Sequence, residues 1–140
     1  MGEGGHQILL VEDDDELRDV LVVLFEMNGW EVVAAANGDD ALGHLREGLR
    51  PCMIVFDLVM PGKGGWEFRA AQLADPALAP IPAVAISAAV QGPTMQRVLQ
   101  VEDFLPKPID VDRLLACVER HCPRSAAPQT GAPVSRRPRA

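Results

Sequence analysis

The chain has 140 residues, 48% of them hydrophobic, which is enough for one domain with a real core. It carries 20 acidic and 13 basic groups, but four arginines (Arg124, Arg136, Arg137, Arg139) fall in the last 17 residues, where there is no acid. The preceding 123 residues therefore hold a net charge of −11, which argues against nucleic acid as a direct ligand and suits a body that binds cations or docks on basic surfaces.

No apolar run is long enough to cross a membrane, and residues 1–6 lack the basic-then-apolar pattern of a signal peptide. A cytoplasmic protein is expected. The three cysteines, Cys52, Cys117 and Cys122, are odd in number and not spaced as metal ligands, so reduced thiols are the expectation. A Cys117/Cys122 redox pair is set aside.

Residues 7–11, Gln-Ile-Leu-Leu-Val, form a short apolar strand that runs into Glu12-Asp13-Asp14-Asp15-Glu16. Leu17, Val20, Leu21 and Leu24 then recur at helical spacing, predicting a helix over 14–28 with one apolar stripe. Asp14 or Asp15 is its N-cap, and Asn28-Gly29 stops it. A second strand covers 30–35. Asn37-Gly38-Asp39-Asp40 turns into a helix carrying Ala41, Leu42 and Leu45, which ends at Gly48.

The third strand, Met53–Asp57, is fully apolar until its terminal carboxylate, and Pro61–Gly65 follows as a loop. A helix over 65–74 turns Phe68, Ala71 and Leu73 inward. Ala83–Ser87 is the fourth strand, followed by a short helix over 93–100 with Pro93 in its first turn. Asp103-Phe104-Leu105 is a brief fifth strand, closed by Pro106-Lys107-Pro108. Asp110 caps a last helix over 110–121, and Pro123 ends it. Residues 123–140 lack periodicity and read as a disordered Pro/Ala/Arg tail.

Five strands alternating with five helices predict a doubly wound α/β fold, a parallel sheet covered on both faces. In such a sheet the chemistry sits beyond the carboxyl ends of the strands, and the first and third strands are neighbours. The terminal acids Glu12, Asp13 and Asp57 must then meet. Two carboxylates about 4 Å apart repel by roughly 4 kcal/mol at an effective dielectric of 20, so the cluster demands counter-charge. Lys107 supplies one positive charge. A divalent cation supplies two, and Mg²⁺ suits a site with one or two direct carboxylates. Asp14, Asp15 and Glu16 read instead as solvated helix-starters.

These residues match a family. Ile8-Leu9-Leu10-Val11-Glu12-Asp13-Asp14, Asp57-Leu58-Val59-Met60-Pro61 with Gly65, Ala85-Ile86-Ser87-Ala88, and Asp103-Phe104-Leu105-Pro106-Lys107-Pro108 occur in order. Together they resemble the receiver domain of bacterial two-component response regulators, in its single-domain, chemotaxis-regulator-like form. The resemblance implies a flavodoxin-like five-stranded sheet in the order 2-1-3-4-5, with the domain at 7–122 and 1–6 a short extension.

It further implies that Asp57 accepts a phosphoryl group from a sensor histidine kinase or phosphotransfer protein. Mg²⁺ would be held by Asp13, Asp57 and the Val59 carbonyl, with Glu12 acting through water. Lys107 and Ser87 would contact the phosphoryl oxygens. Ser87 and Phe104 would switch the fourth-helix, fifth-strand and fifth-helix face where partners dock, and the Lys107-Pro108 bond is expected to be cis. Gly64, Lys63, Gln100-Val101-Glu102 and Gly92-Pro93 depart from the family pattern, which bears on loop shape and output-face geometry rather than on the chemistry. Val59 and Ala89 cannot activate a water, so dephosphorylation should be slow.

Three other readings compete. A receiver-like binding module that is never phosphorylated would not need the full set of Glu12, Asp13, Asp57, Ser87 and Lys107. A phosphatase using an Asp nucleophile needs an acid where Val59 stands. A flavin carrier needs amide and hydroxyl donors after its first strand, where five acids would repel the phosphate.

Overall fold

The computed structural model describes residues 6–60, 62, 64–88 and 93–123. In chain order the elements are β1 (Gln7–Val11), α1 (Asp15–Met27), β2 (Glu31–Ala35), α2 (Gly38–Arg46) and β3 (Met53–Asp57). They continue as α3 (Gly65–Ala74), β4 (Ala83–Ser87), α4 (Pro93–Leu99), β5 (Asp103–Pro106) and α5 (Val111–His121). All strand pairs are parallel and the order is β2-β1-β3-β4-β5. The doubly wound parallel sheet is the one expected from the alternation of apolar runs and helical stripes, and its flavodoxin-like order is the one the family resemblance implied.

The pleat divides the core in two. Leu9, Val11, Ile54, Phe56, Ala83 and Ala85 point to one face and pack with Leu42, Phe68 and Leu99 from α2, α3 and α4. Ile8, Leu10, Met53, Val55, Val84 and Ile86 point to the other and pack with Leu21 and Phe25 of α1 and Leu114 and Val118 of α5. Every residue of β3 and β4 is buried, which is why both read as unbroken apolar runs.

Helix ends follow local chemistry. Asp14 caps α1 by accepting from the Glu16 and Leu17 N–H groups. Asn37 accepts from Asp40, and Asp110 from Arg113. Gly29, at φ +97°, lets the chain leave α1 in the left-handed region. The fifth strand extends one residue beyond expectation, to Pro106, and its edge position tolerates the missing N–H.

Three side-chain expectations are corrected. Val20 is not part of the α1 stripe; it is 62% exposed, and the helix turns Leu21 and Phe25 inward instead. On α3, Leu73 is only half-buried, while the polar Arg69 and Gln72 are buried beside Phe68. Reduced cysteines were expected, but Cys52 and Cys122 are joined, with Cα atoms 5.3 Å apart. The fold brings the start of β3 against the end of α5, a proximity that a separation of 70 residues does not reveal. Cys117 is free and buried, and burial pushes its thiol up to about 11. The expectations about Lys63, Ala89, Gly92 and the segment 124–140 fall outside the described residues.

Candidate phosphoacceptor and cation site

Strand register assembles the site. Val11 pairs with Phe56, so the next residues, Glu12 and Asp57, emerge together at the carboxyl edge of the sheet. Asp57 in turn is level with Ile86, placing Ser87 one step beyond on β4, and Ser87 pairs with Pro106. The Lys107 N–H donates to the Ser87 carbonyl at 2.9 Å, which brings the lysine over the strand ends.

One carboxylate oxygen from each of Glu12, Asp13 and Asp57 lies within 4.8 Å of the others. Asp13 is exposed, whereas Glu12 and Asp57 are 1% and 4% exposed. Lys107 Nζ donates to Asp57 Oδ2 at 2.7 Å and stands 3.3 Å from Glu12 Oε1. The other Asp57 oxygen accepts from the Val59 N–H at 3.0 Å. Glu12 Oε2 accepts from the Asp14 N–H at 3.0 Å, while its buried Oε1 is left with the Lys107 ion pair as its polar contact among the described residues.

The electrostatics follow from this geometry. Burial pushes the Glu12 carboxyl up to about 7; the Asp14 N–H works the other way, and the Asp57 charge adds to the rise. Burial works against the Lys107 ammonium, but Asp57 and Glu12 outweigh it and raise its pKa, so the lysine stays charged. One ammonium thus faces two buried carboxylates and a third beside them. This set of clustered hard oxygens, three acidic groups against one ammonium, fits a small divalent cation such as Mg²⁺.

The loop after Asp57 is held close. The Leu58 N–H donates to the Ile86 carbonyl at 2.8 Å and the Gly65 N–H to the Leu58 carbonyl at 3.0 Å. The Gly64 N–H is taken by Glu67 Oε1 at 3.1 Å. Val59, 64% exposed, turns its side chain outward. Ser87 is fully buried at the end of β4. Phe104 on β5 is half-buried against the core and level with Ala85. The Lys107-Pro108 peptide is cis.

Sequence reasoning missed Arg69. It lies 4% exposed on α3, and its Nε donates to the Leu99 carbonyl at 2.9 Å. Its other nitrogens reach the Gln100 carbonyl and Gln72 Oε1. Gln72 in turn donates to the Leu78 and Ile81 carbonyls at 2.9 and 3.0 Å. The pair ties the helix after the site to the end of α4. Nothing in the sequence marks an arginine as buried; the one available hint is the three-residue spacing of Arg69 and Gln72 on the face that carries Phe68.

Comparison with known proteins agrees with this architecture. The family model for the response regulator receiver domain matches residues 8–119. The chain is 33% identical over 117 residues to an uncharacterized 14.6 kDa protein of Leptolyngbya boryana, covering 82% of this chain and 88% of that one. It is 34% identical over 124 residues to the transcriptional regulatory protein CpxR of Escherichia coli, covering 86% of this chain but 50% of CpxR. The chain therefore spans about half the length of that regulator. Among solved structures, a response regulator receiver protein from Pseudomonas putida superposes with a TM-score of 0.74 at 25% identity, covering 81% of this chain and 95% of that one.

Proposed function

The chain belongs to the response regulator receiver domain family, and from that premise we propose that it is phosphorylated on Asp57 by a sensor histidine kinase or phosphotransfer protein, with Mg²⁺ as cofactor. The observation that carries this reading is the strand-end cluster: Asp57 at the mouth of the sheet, flanked by Glu12 and Asp13 and bonded to Lys107 at 2.7 Å. The family is a phosphoacceptor signalling module rather than a classical enzyme, and the charge arrangement suits that role.

Asp13, Asp57 and the Val59 carbonyl would hold Mg²⁺, with Glu12 acting through a water. The cation supplies charge neutralisation at the phosphoryl oxygens. An Asp57 carboxylate oxygen attacks the phosphorus of a phosphohistidine. The new O–P bond forms as the P–N bond breaks, and the imidazole leaves to take up a proton. Lys107 moves from Asp57 Oδ2 to a phosphoryl oxygen as charge builds there, and the Ser87 hydroxyl donates to another. The preorganised ammonium is the main contribution of the chain itself, because phosphoryl transfer needs positioning and charge more than covalent help.

The output follows from packing. A shift of Ser87 toward the phosphate opens space beside Ala85, the register partner of Phe104, and the ring turns inward. That biases the α4-β5-α5 face for partner docking. The partners are proteins, given the acidic body, and a cytoplasmic site of action follows from the kinase reading. No helix among the described residues is long and apolar enough to cross a membrane.

The test is intact mass after incubation with a small phosphodonor and Mg²⁺, on the native chain and on Asp57→Asn. One added phosphoryl group on the native chain alone supports the reading. No addition to folded, Mg²⁺-binding protein would make the chain a receiver-like binding module instead.

A further inference from the structure

The Cys52–Cys122 bridge lies at the end of the sheet opposite the acid cluster. Cys52 immediately precedes β3, whose other end is Asp57, a span of about 17 Å along five strand residues. Its N–H donates to the Gln7 carbonyl at 2.8 Å, so it is fixed to the first residue of β1. Cys122 is the C-cap of α5, and its carbonyl accepts from Trp30 Nε1 at 2.8 Å. Trp30 meets Phe25 edge-on at 6.0 Å, so the end of α5 is seated on the apolar cluster that α1 and the sheet share. We propose that Cys52–Cys122 is a reversible thiol–disulfide site, a clasp through which small thiols and disulfides set whether the C-terminal turn of α5 is tethered to the base of β3.

Three features point to reversibility. The Cα separation of 5.3 Å lies within the range a disulfide spans without moving backbone, so bonded and open forms share one fold. The two residues differ in burial: Cys52 is half-buried, while Cys122 is fully buried. The third thiol does not interfere. Cys117 is free and fully buried one turn back on α5, and its raised pKa keeps it protonated and unreactive.

The exchange balances with a low-molecular-weight thiol as reductant. Its thiolate attacks the Cys52 sulfur, the S–S bond breaks, and Cys122 leaves and takes a proton. A second thiolate attacks the mixed disulfide at its own sulfur, releasing Cys52 as a thiol and the small disulfide as the oxidised product. Two electrons pass from two small thiols to the clasp, and the small disulfide reverses the sequence. Once open, the last turn of α5 keeps the Trp30 hydrogen bond but loses its covalent tie to β3. The clasp operates whether or not Asp57 accepts a phosphoryl group.

The native chain is equilibrated in glutathione buffers of graded reduced-to-oxidised ratio, quenched in acid, unfolded and labelled with a maleimide for intact mass. The expected result is a passage from one labelled thiol to three while the circular dichroism stays native. Backbone hydrogen exchange over 118–122 then quickens at least tenfold in the reduced form. Cys52→Ser reproduces the fast exchange in oxidising buffer, with Cys122→Ala as the second variant should the first not fold. Three labels at every ratio mean that no bond forms. One label at every ratio until unfolding means a permanent staple. Titration with unchanged exchange over 118–122 means that α5 does not respond. Each of these overturns the proposal.

Discussion

Gly65 is packed directly against the residue that carries the chemistry: a β-carbon there would lie 2.5 Å from the Asp57 carbonyl oxygen and 2.6 Å from Leu58 Cα. Both neighbours are backbone and cannot rotate away. Gly65→Ala must therefore push α3 off the end of β3 or move Asp57 itself. Overpacking of this kind costs roughly 1–3 kcal/mol. Urea unfolding should show that loss, and phosphorylation of the variant should slow. Unchanged stability and rate would mean that the loop after Asp57 adjusts freely.

Lys107 is the cation that Asp57 and Glu12 share. Lys107→Ala leaves two buried carboxylates facing each other, at a cost on the order of 3 kcal/mol in metal-free buffer. Mg²⁺ should restore more stability to the variant than to the native chain, because an added cation replaces the missing charge and no longer meets a competitor. Thermal melts in chelator and in Mg²⁺ compare the two increments in Tm. A smaller Mg²⁺ increment in the variant would contradict this charge assignment.

Glu12 ties stability to pH. Its carboxyl is raised from 4.5 to about 7 in the fold, with burial the largest cause. Between those values the folded chain keeps a proton that the unfolded chain has released, so this residue's contribution falls as pH rises through the window. The loss is on the order of 3 kcal/mol across it. Glu12→Gln cannot titrate, so its unfolding free energy should decline less between pH 4.5 and 7 than that of the native chain, both in metal-free buffer. Parallel pH profiles for the two proteins would show that Glu12 does not carry the raised pKa.

Arg69 satisfies two carbonyls at the end of α4, those of Leu99 and Gln100. Arg69→Met keeps the apolar stem but leaves both without this donor, a loss of roughly 2–4 kcal/mol. Hydrogen exchange should accelerate around 99–101 ahead of the sheet. Uniform acceleration across the whole chain would show a general loss of stability rather than a local tie.

The fold was legible because β1, β3 and β4 are short apolar runs that end in or run straight into a polar residue, and α1, α2 and α5 repeat Leu, Val or Ala at helical spacing. The meeting of Glu12, Asp13, Asp57 and Lys107 could be argued because parallel order forces strand ends together. What stayed hidden depends on tertiary proximity or helix rotation. Val20 sits at helical spacing from Leu17 and Leu24, yet Leu21 and Phe25 set the buried face, so α1 is turned away from the simplest stripe. Arg69 and Gln72 look like surface residues until the end of α4 offers carbonyls to the first and the segment after α3 offers them to the second. The Cys52–Cys122 bond required knowing that the last turn of α5 returns to the base of β3.

Val59 turns outward beside Asp57 and has no group that can activate a water. The phosphorylated chain should therefore lose its phosphoryl group slowly, over minutes or longer, without a phosphatase. Time-resolved intact mass after removal of the phosphodonor measures this, and decay within seconds would require a water-activating group elsewhere in the site.

The most direct test of the central claim is the location of the phosphoryl group. The chain is phosphorylated with a small phosphodonor and Mg²⁺, reduced with borohydride to convert an acyl phosphate to the alcohol, digested and mapped by tandem mass spectrometry. The account predicts homoserine in place of the aspartate at position 57 and nowhere else. Conversion at Asp13, or phosphate on a serine or histidine with Asp57 intact, would contradict it.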